Sequence, residues 1–296
     1  MFDQLQQVIN EFLLDGEARG HSAYTTRAYR NAFRFFTEWL AERKVERIGQ
    51  LTPSLLREYA VHCSATLSPG GAHARLRPIK TLLKWAQQEE LISQDLTRRL
   101  PMPKLLREPL PAVRFSDFQK LLGAAKVKSR CPLRDVALLT VLYDTGLRAS
   151  EALALQLDDI RPEGFILVRQ GKGGKSRSVP IERPTLKAIR AYVHQERHEE
   201  PVSDALFLAG DRAMSRGTLD KMLERLCEFA GLPRLSAHTF RRGFAVQYLR
   251  NGGDVFTLQR IFGHTSLEMT NRYAQLLDDD VKLAHRRSSP LRSRKE

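Results

Sequence analysis

A histidine and an arginine stand three residues apart in the segment "SAHTFRRGFA", at His238 and Arg241. Apolar residues recur at helical spacing through this segment, so we expect a helix whose first turns carry both side chains on one face. The N–H groups at such a helix start favour an anion, and a phosphate suits both side chains. A solvated helix face has the same pattern, so this pair alone does not decide the chemistry.

A second charged pair follows a predicted helix end in "DTGLRASEALALQL". Gly146 predicts the stop, and Arg148 then opens a further helix that carries Glu151 in its first turn. Ser150 and Glu151 are placed to fix the local geometry through hydrogen bonds to that turn. The alternative interpretation is an ordinary helix start.

The segment "QGKGGKSRS" places Lys172 and Lys175 in a glycine-rich turn between two short runs typical of strands, which predicts a β-hairpin. The segment ends like a nucleotide-binding P-loop. However, Arg169 stands where the first glycine of that motif would be, and a strand follows where a helix is required. We therefore expect no nucleotide here, and a solvated turn is the alternative to a functional lysine.

The last group is in "RIFGHTSLEMTNRYAQL". Gly263 predicts the end of one helix, and the four residues 265–268 match the capping box of the next. His264 then lies on the tight turn between the two helices, and Tyr273 lies two turns into the second. A tyrosine in such a helix is ordinarily a core or rim residue.

The elements that position these groups form two parts of the chain. Helical periodicity fills residues 1–100, where Tyr29, Phe33 and Phe36 share one face behind a cap at Thr25 or Thr26, and Thr52 caps another helix. Residues 101–113 are rich in proline and basic side chains, as expected of a linker. Residues 114–285 mix helices with the hairpin, and residues 286–296 form a basic tail. The fold class predicted is mainly α, with a small antiparallel sheet in an α+β second domain.

Together, the motifs "TGLRASE", "GKGGKSRSVP", "HTFRRGFA" and "FGHTSLEMTNRYAQL" closely resemble those of the tyrosine recombinases, which include the phage integrases and Xer-type site-specific recombinases. The resemblance covers about residues 114–285, the family's catalytic domain. The N-terminal part resembles the family's SAM-like helical core-binding domain in length and helix content. Two departures, "RRG" for the usual "RHA" or "RHT" and "FGH" for "LGH", leave the chemical positions unchanged.

The resemblance implies a set of catalytic residues: Arg148, Lys172, His238, Arg241, His264 and the nucleophile Tyr273. It also implies that Glu151 supports the first arginine. Whether Lys172 or Lys175 is the general acid stays open, because both lie on one turn. The implied activity is cleavage and rejoining of DNA strands through a 3′-phosphotyrosyl intermediate, in integration, excision or resolution of DNA, without ATP, a metal ion or any other cofactor.

The charge of the chain agrees with a DNA partner. Its 48 Lys+Arg against 34 Asp+Glu give a net charge of +14, which favours a polyanion. The resemblance implies a clamp on double-stranded DNA with an inverted-repeat core. It further implies a homotetramer, or a heterotetramer with a paralogue, on two paired sites, with or without an accessory protein. Because no apolar run reaches 18 residues, we expect a soluble cytoplasmic protein, associated with the nucleoid and not with a membrane.

The residues also allow two other functions and a metal site as alternatives. A type IB topoisomerase would share the tyrosine nucleophile, and a DNA-binding regulator would use the same residues only to grip phosphate. His194 and His198 share a helix face, but Gln195 stands where a zinc protease needs glutamate and no third ligand is apparent. The three cysteines are scattered, which argues against a disulfide framework.

Overall fold

The computed structural model describes residues 4–104, 112–169, 176–264, 266 and 289. The chain divides into two compact units, Met1–Glu108 and Pro109–Glu296, each with its own hydrophobic core. Both units are mainly helical, and the described strands form small antiparallel sheets. The predicted fold class is therefore confirmed.

The described part of the first unit is a bundle of helices: α1 (Leu5–Ala18), α2 (Ala23–Ala41), α3 (Pro53–Thr66) and α4 (Pro69–Gln88), with a 3₁₀ turn at Ile48–Gln50. Phe33 and Phe36 of α2 are buried in its core, as their spacing predicts. Thr52 caps α3 by accepting from the Leu55 N–H, also as predicted. The cap predicted for α2 is wrong, because Ser22 takes that role and accepts from the N–H of Thr25.

The second unit is built around one helix whose residues are all at least partly buried. Its described helices are α5 (Phe115–Lys128), α6 (Pro132–Thr145), α7 (Ala149–Leu153), α8 (Arg183–Gln195), α9 (Arg216–Phe229), α10 (Ala237–Arg250) and α11 (Val255–Phe262), with a 3₁₀ turn at Leu157–Asp159. Helix α6 packs against α5, α8 and α10. None of its residues is exposed, which is typical of a helix at the centre of a domain.

A three-stranded antiparallel sheet lies beside these helices, in the order β1 (Ile160–Arg161), β2 (Phe165–Val168), β3 (Arg177–Pro180). Val168 pairs with Arg177 at the end of the β2–β3 ladder, so the predicted hairpin strands are confirmed. The turn with Lys172 and Lys175 lies outside the described residues. A second sheet pairs β4 (Leu208–Ala209) with β5 (Arg212–Ala213). Across the described ranges, none of the helices has the length and apolar character needed to span a membrane.

Candidate active site

The end of α6 leads to the first site residue. Gly146 follows Thr145 with left-handed backbone angles, φ being 60°. A β-carbon on Gly146 would lie 2.7 Å from the Phe262 ring and 2.8 Å from the Phe244 ring, so this turn passes tightly against α11 and α10. Glycine meets both demands because it has no β-carbon and tolerates positive φ. The turn therefore brings Arg148, the N-cap residue of α7, next to these two helices.

The carboxylate of Glu151 is the buried anion of the site, with 4% of its side chain exposed. Its Oε2 accepts from the backbone N–H of Arg148 and its Oε1 from the guanidinium of Arg148, both at 2.9 Å. Burial alone would raise the pKa of this carboxyl. The hydrogen bonds and charges of Arg177 and Arg148 outweigh burial and hold the pKa below its usual range. Glu151 is therefore ionised at neutral pH and orients Arg148, whose side chain is 27% exposed.

A second arginine holds the same carboxylate from the sheet. Arg177, the first residue of β3, donates from Nη1 and Nη2 to Oε1 and Oε2 of Glu151 at 3.1 and 2.9 Å. Its Nε donates to the carbonyl of Ile261 at 2.7 Å. Sequence reasoning missed this residue. The sequence feature that could have indicated Arg177 is its place directly after the lysine-bearing turn.

Arg241 is the most deeply buried cation of the described site, with 2% of its surface exposed. Its Nη1 donates to the Gly146 carbonyl at 2.9 Å and its Nη2 to the Phe262 carbonyl at 3.2 Å. The guanidinium also lies over the Phe262 ring, 3.7 Å from its centroid. Arg148 Nη1 reaches the same Phe262 carbonyl at 3.4 Å. The negative, C-terminal end of α11 thus orients both arginines.

His264 follows directly on α11, which ends at Gly263 in a left-handed conformation with φ 62°. Gln259 fixes the turn, since its carbonyl accepts from the His264 N–H and its side-chain amide donates to the His264 carbonyl, both at 3.1 Å. His264 Nε2 lies 2.8 Å from Nη2 of Arg241. Because a guanidinium can only donate, we assign Nε2 as the acceptor and Nδ1 as the protonated nitrogen of a neutral ring. Burial, and then the charges of Arg241 and Arg148, lower the pKa of His264 to about 4.

His238 lies in the first turn of α10, exposed overall and partly shielded by its neighbours. This partial burial, and then the guanidiniums of Arg242 and Arg241, lower the pKa of its imidazole. At neutral pH the ring is therefore largely neutral and able to accept a proton. The positive charges of the nearby arginines therefore act on His238.

The cluster carries an excess of positive charge. Arg148 and Arg177 share the Glu151 carboxylate, and the guanidiniums of Arg148, Arg177 and Arg241 all donate to carbonyls at the end of α11. Such a set is suited to an anion with several oxygens, because planar guanidiniums donate in pairs. In the described ranges, no group of three or more His, Cys, Asp or Glu side chains is arranged to hold a metal ion.

Both parts of the chain match known protein families. The sequence profile of the phage integrase family matches residues 112–279, and the profile of the phage integrase N-terminal SAM-like domain matches residues 9–90. This chain belongs to the phage integrase family.

Relatives from this family align along nearly the whole chain. Tyrosine recombinase XerC 2 of Ralstonia nicotianae is 31% identical over 290 residues, covering 94% of this chain and 84% of that protein. Tyrosine recombinase XerC of Myxococcus xanthus is 28% identical over 282 residues, covering 93% and 94%. The likeness therefore extends over both units.

Solved structures of two DNA-bound proteins share the fold of this chain. XerH site-specific recombinase bound to its palindromic difH substrate superposes with a TM-score of 0.69 at 21% identity, covering 90% of this chain and 82% of that chain. The Tn1549 transposon integrase in complex with circular intermediate DNA gives 0.72 at 19% identity, covering 92% and 95%. The predicted architecture, a SAM-like helical domain followed by a tyrosine-recombinase catalytic domain, is confirmed.

The structure joins four of the residues that the family motifs assign: Arg148, Glu151, Arg241 and His264. His238 lies within their electrostatic field. Lys172 and Tyr273 lie outside the described residues, so their roles stay predictions.

Proposed function

We propose that this protein is an Xer-like site-specific DNA recombinase, which cleaves and rejoins DNA strands in the integration, excision or resolution of DNA. The observation that carries this proposal is the convergence of Arg148 and Arg241 on the Phe262 carbonyl. These arginines start from different helices, and each is held by further protein groups. A pair of oriented guanidiniums is the main requirement for stabilising a phosphate under attack.

The two arginines act on the charge that develops on the non-bridging phosphate oxygens in the transition state. Glu151 orients Arg148, while the Gly146 carbonyl and His264 orient Arg241. Because these contacts within the protein hold the guanidiniums in place, little reorganisation is needed at the moment of reaction. We assign His264 a hydrogen bond to the phosphate in addition to its contact with Arg241.

The covalent step uses the tyrosine. The phenolic oxygen of Tyr273 attacks the scissile phosphorus, and the bond from phosphorus to the 5′ oxygen breaks. A phenol with a pKa of about 10 is a weak nucleophile at neutral pH, so the neutral His238 takes its proton. Lys172, or Lys175 beside it, gives a proton to the departing 5′ oxygen.

The products of cleavage are a 3′-phosphotyrosyl link and a 5′ hydroxyl. The 5′ hydroxyl of a partner strand then attacks the link and releases Tyr273. Because the covalent intermediate retains the energy of the phosphodiester bond, the cycle consumes no ATP. The guanidiniums of Arg148 and Arg241 supply the positive charge at the phosphate, so we assign the reaction no metal ion or other cofactor.

The DNA partner follows from charge and from the relatives. The net charge of +14 favours a polyanion, and the related XerH and Tn1549 integrase structures contain DNA. We assign as substrate double-stranded DNA with an inverted-repeat core, contacted by both units. The working assembly is a tetramer of this chain, or of this chain with a paralogue, on two paired sites, with or without an accessory protein. Such a substrate places the protein at the nucleoid in the cytoplasm.

The test joins the chemistry to the target sequence. The wild type, Tyr273→Phe and the control Tyr24→Phe are incubated in EDTA with randomised nicked duplexes whose short cleaved strand diffuses away. DNA attached covalently to protein is then recovered and sequenced. Tyr24 is 80% exposed in the first unit, so its substitution removes a hydroxyl without touching the site. We expect adducts from the wild type and from Tyr24→Phe, enriched in inverted repeats, and none from Tyr273→Phe despite equal DNA binding.

The other outcomes would each contradict part of the proposal. Adducts without sequence preference would point to relaxation of DNA by a type IB topoisomerase. Binding without any adduct would point to a missing partner protein or to a regulator that only grips phosphate. Loss of binding in Tyr273→Phe would show that this tyrosine supports the fold and is not the nucleophile.

A further inference from the structure

Arg177 is a cation of the site that the family motifs leave without a role. It opens β3, pairs in register with Val168, and has a side chain that is 11% exposed. Each of its three guanidinium nitrogens donates to the protein, two to Glu151 and one to the Ile261 carbonyl. Arg177 is thus bound into the scaffold, whereas Arg148 keeps 27% of its side chain accessible.

Two contacts of Arg177 hold the protein groups that orient Arg148 and Arg241, namely the Glu151 carboxylate and the end of α11. Its fork sets the plane of the Glu151 carboxylate, and that carboxylate in turn orients Arg148. Its Nε holds the Ile261 carbonyl, directly before Phe262, whose carbonyl receives both Arg148 and Arg241. One side chain from the sheet therefore ties the start of α7 to the end of α11.

The shared carboxylate also has an electrostatic consequence. With Arg177 present, two guanidiniums divide the charge of Glu151. Without Arg177, Arg148 and Glu151 would form a closed pair of zero net charge, and the field of Arg148 at a phosphate would weaken. The buried partner thus leaves more of the charge of Arg148 available to the substrate.

We propose that Arg177 is a positioning residue of the strand-transfer reaction. It acts through Glu151 and the end of α11 to keep the Arg148 guanidinium aligned with the scissile phosphate and its charge available to that phosphate. This inference rests on the proposed function. It predicts a loss in the chemical step with little loss in DNA binding, because all three guanidinium nitrogens of Arg177 already donate to protein groups and not to a phosphate.

The experiment compares full-length wild type with Arg177→Met, Arg177→Lys and the control Arg161→Met. Arg161 lies on β1 of the same sheet and is exposed, so the control removes an equal charge. Single-turnover cleavage of a nicked target and the Kd for that DNA are measured at one salt concentration. We expect Arg177→Met to cleave ~100-fold more slowly or worse, as in the loss of one transition-state donor, with Kd changed less than ~3-fold. Arg177→Lys keeps the charge but loses the forked pair of donors, so its cleavage rate should lie between those of the wild type and Arg177→Met.

A substrate with a methylphosphonate at the scissile position shows whether Arg177 aligns Arg148 for the reaction or only stabilises the fold. This group lacks the charge of one non-bridging oxygen, so its cleavage depends less on an aligned arginine. We expect the ratio of the wild-type rate to the Arg177→Met rate to shrink at least ~10-fold on it, since the charge to be stabilised is smaller. An equal ratio on both substrates would overturn the proposal. If Arg177→Met does not fold, as judged by circular dichroism, the same comparison is made with Arg177→Lys.

Two further outcomes complete the test. A 5′-bridging phosphorothiolate releases a thiolate that needs no proton. If the Arg177→Met defect disappeared on it, Arg177 would act on the leaving group and the proposal would be wrong. If the wild type cleaved and Arg177→Met matched it, only this inference would fail, whereas a wild type without any adduct would remove the proposed function itself.

Discussion

The carboxylate of Glu151 gives the sharpest test of how the cluster is held. Glu151 accepts four hydrogen bonds, two from Arg148 and two from Arg177. The substitution Glu151→Gln keeps the shape of the side chain but replaces one oxygen with an NH₂ group. That group faces N–H donors, so two of the four bonds are lost and the guanidiniums lose their compensating charge.

The expected cost follows from burial. Removing one partner of a buried ion pair destabilises a protein by about 3–5 kcal/mol. The side chains of Glu151 and Arg177 are 4% and 11% exposed, but Arg148 is 27% exposed and can turn to water. We therefore expect the lower end, about 3 kcal/mol, out of a typical total of about 5–15 kcal/mol.

Urea unfolding measures this loss of stability, and the first unit serves as an internal reference. The two tryptophans, Trp39 and Trp85, both lie in the first unit, so their fluorescence reports that unit, while far-ultraviolet circular dichroism reports both. Glu151→Gln should move the dichroism transition to lower urea and leave the fluorescence transition in place. The control is Glu163→Gln, an exposed carboxylate of the same unit. A loss below about 1 kcal/mol for Glu151→Gln, as expected of surface changes, would refute the account of the cluster.

Two further predictions concern packing and pH. A β-carbon on Gly243 would lie 2.4 Å from the Val113 carbonyl oxygen, whereas one on Gly123 meets nothing within 4 Å. Gly243→Ala should therefore cost about 1–3 kcal/mol and Gly123→Ala should gain about 0.5–1 kcal/mol in thermal unfolding, and equal signs would contradict this packing. The folded pKa of His264, about 4, lies below the unfolded value near 6.5, so the unfolded chain binds more protons between these values and stability falls as pH drops through that window. His264→Gln should flatten this part of the stability curve measured by urea unfolding at stepped pH, and an unchanged curve would show that His264 does not contribute.

Local rules were enough for many elements but not for their lengths. The period of Phe33 and Phe36 predicted the buried face of α2, and Thr52 followed by proline predicted the start of α3. In contrast, the segment after Gly146 has helical periodicity well beyond residue 153, yet α7 covers only Ala149–Leu153. Gln156 instead forms a β-bridge with Ala205, so a tertiary contact overrides the local preference there.

The sequence by itself determined the chemical groups and their order, because each motif is a local pattern whose helix starts and stops depend on neighbouring residues. Only the tertiary structure decided which groups meet. Arg241 reaches a carbonyl 95 residues away, Arg148 one 114 residues away, and Arg177 a carboxylate 26 residues away on another element. The protonated nitrogen of His264 likewise depends on Arg241, a donor from a different helix. Such contacts depend on how α7 and α10 pack on α6 and how α11 packs on α10 and β3, and no spacing within a motif encodes that arrangement.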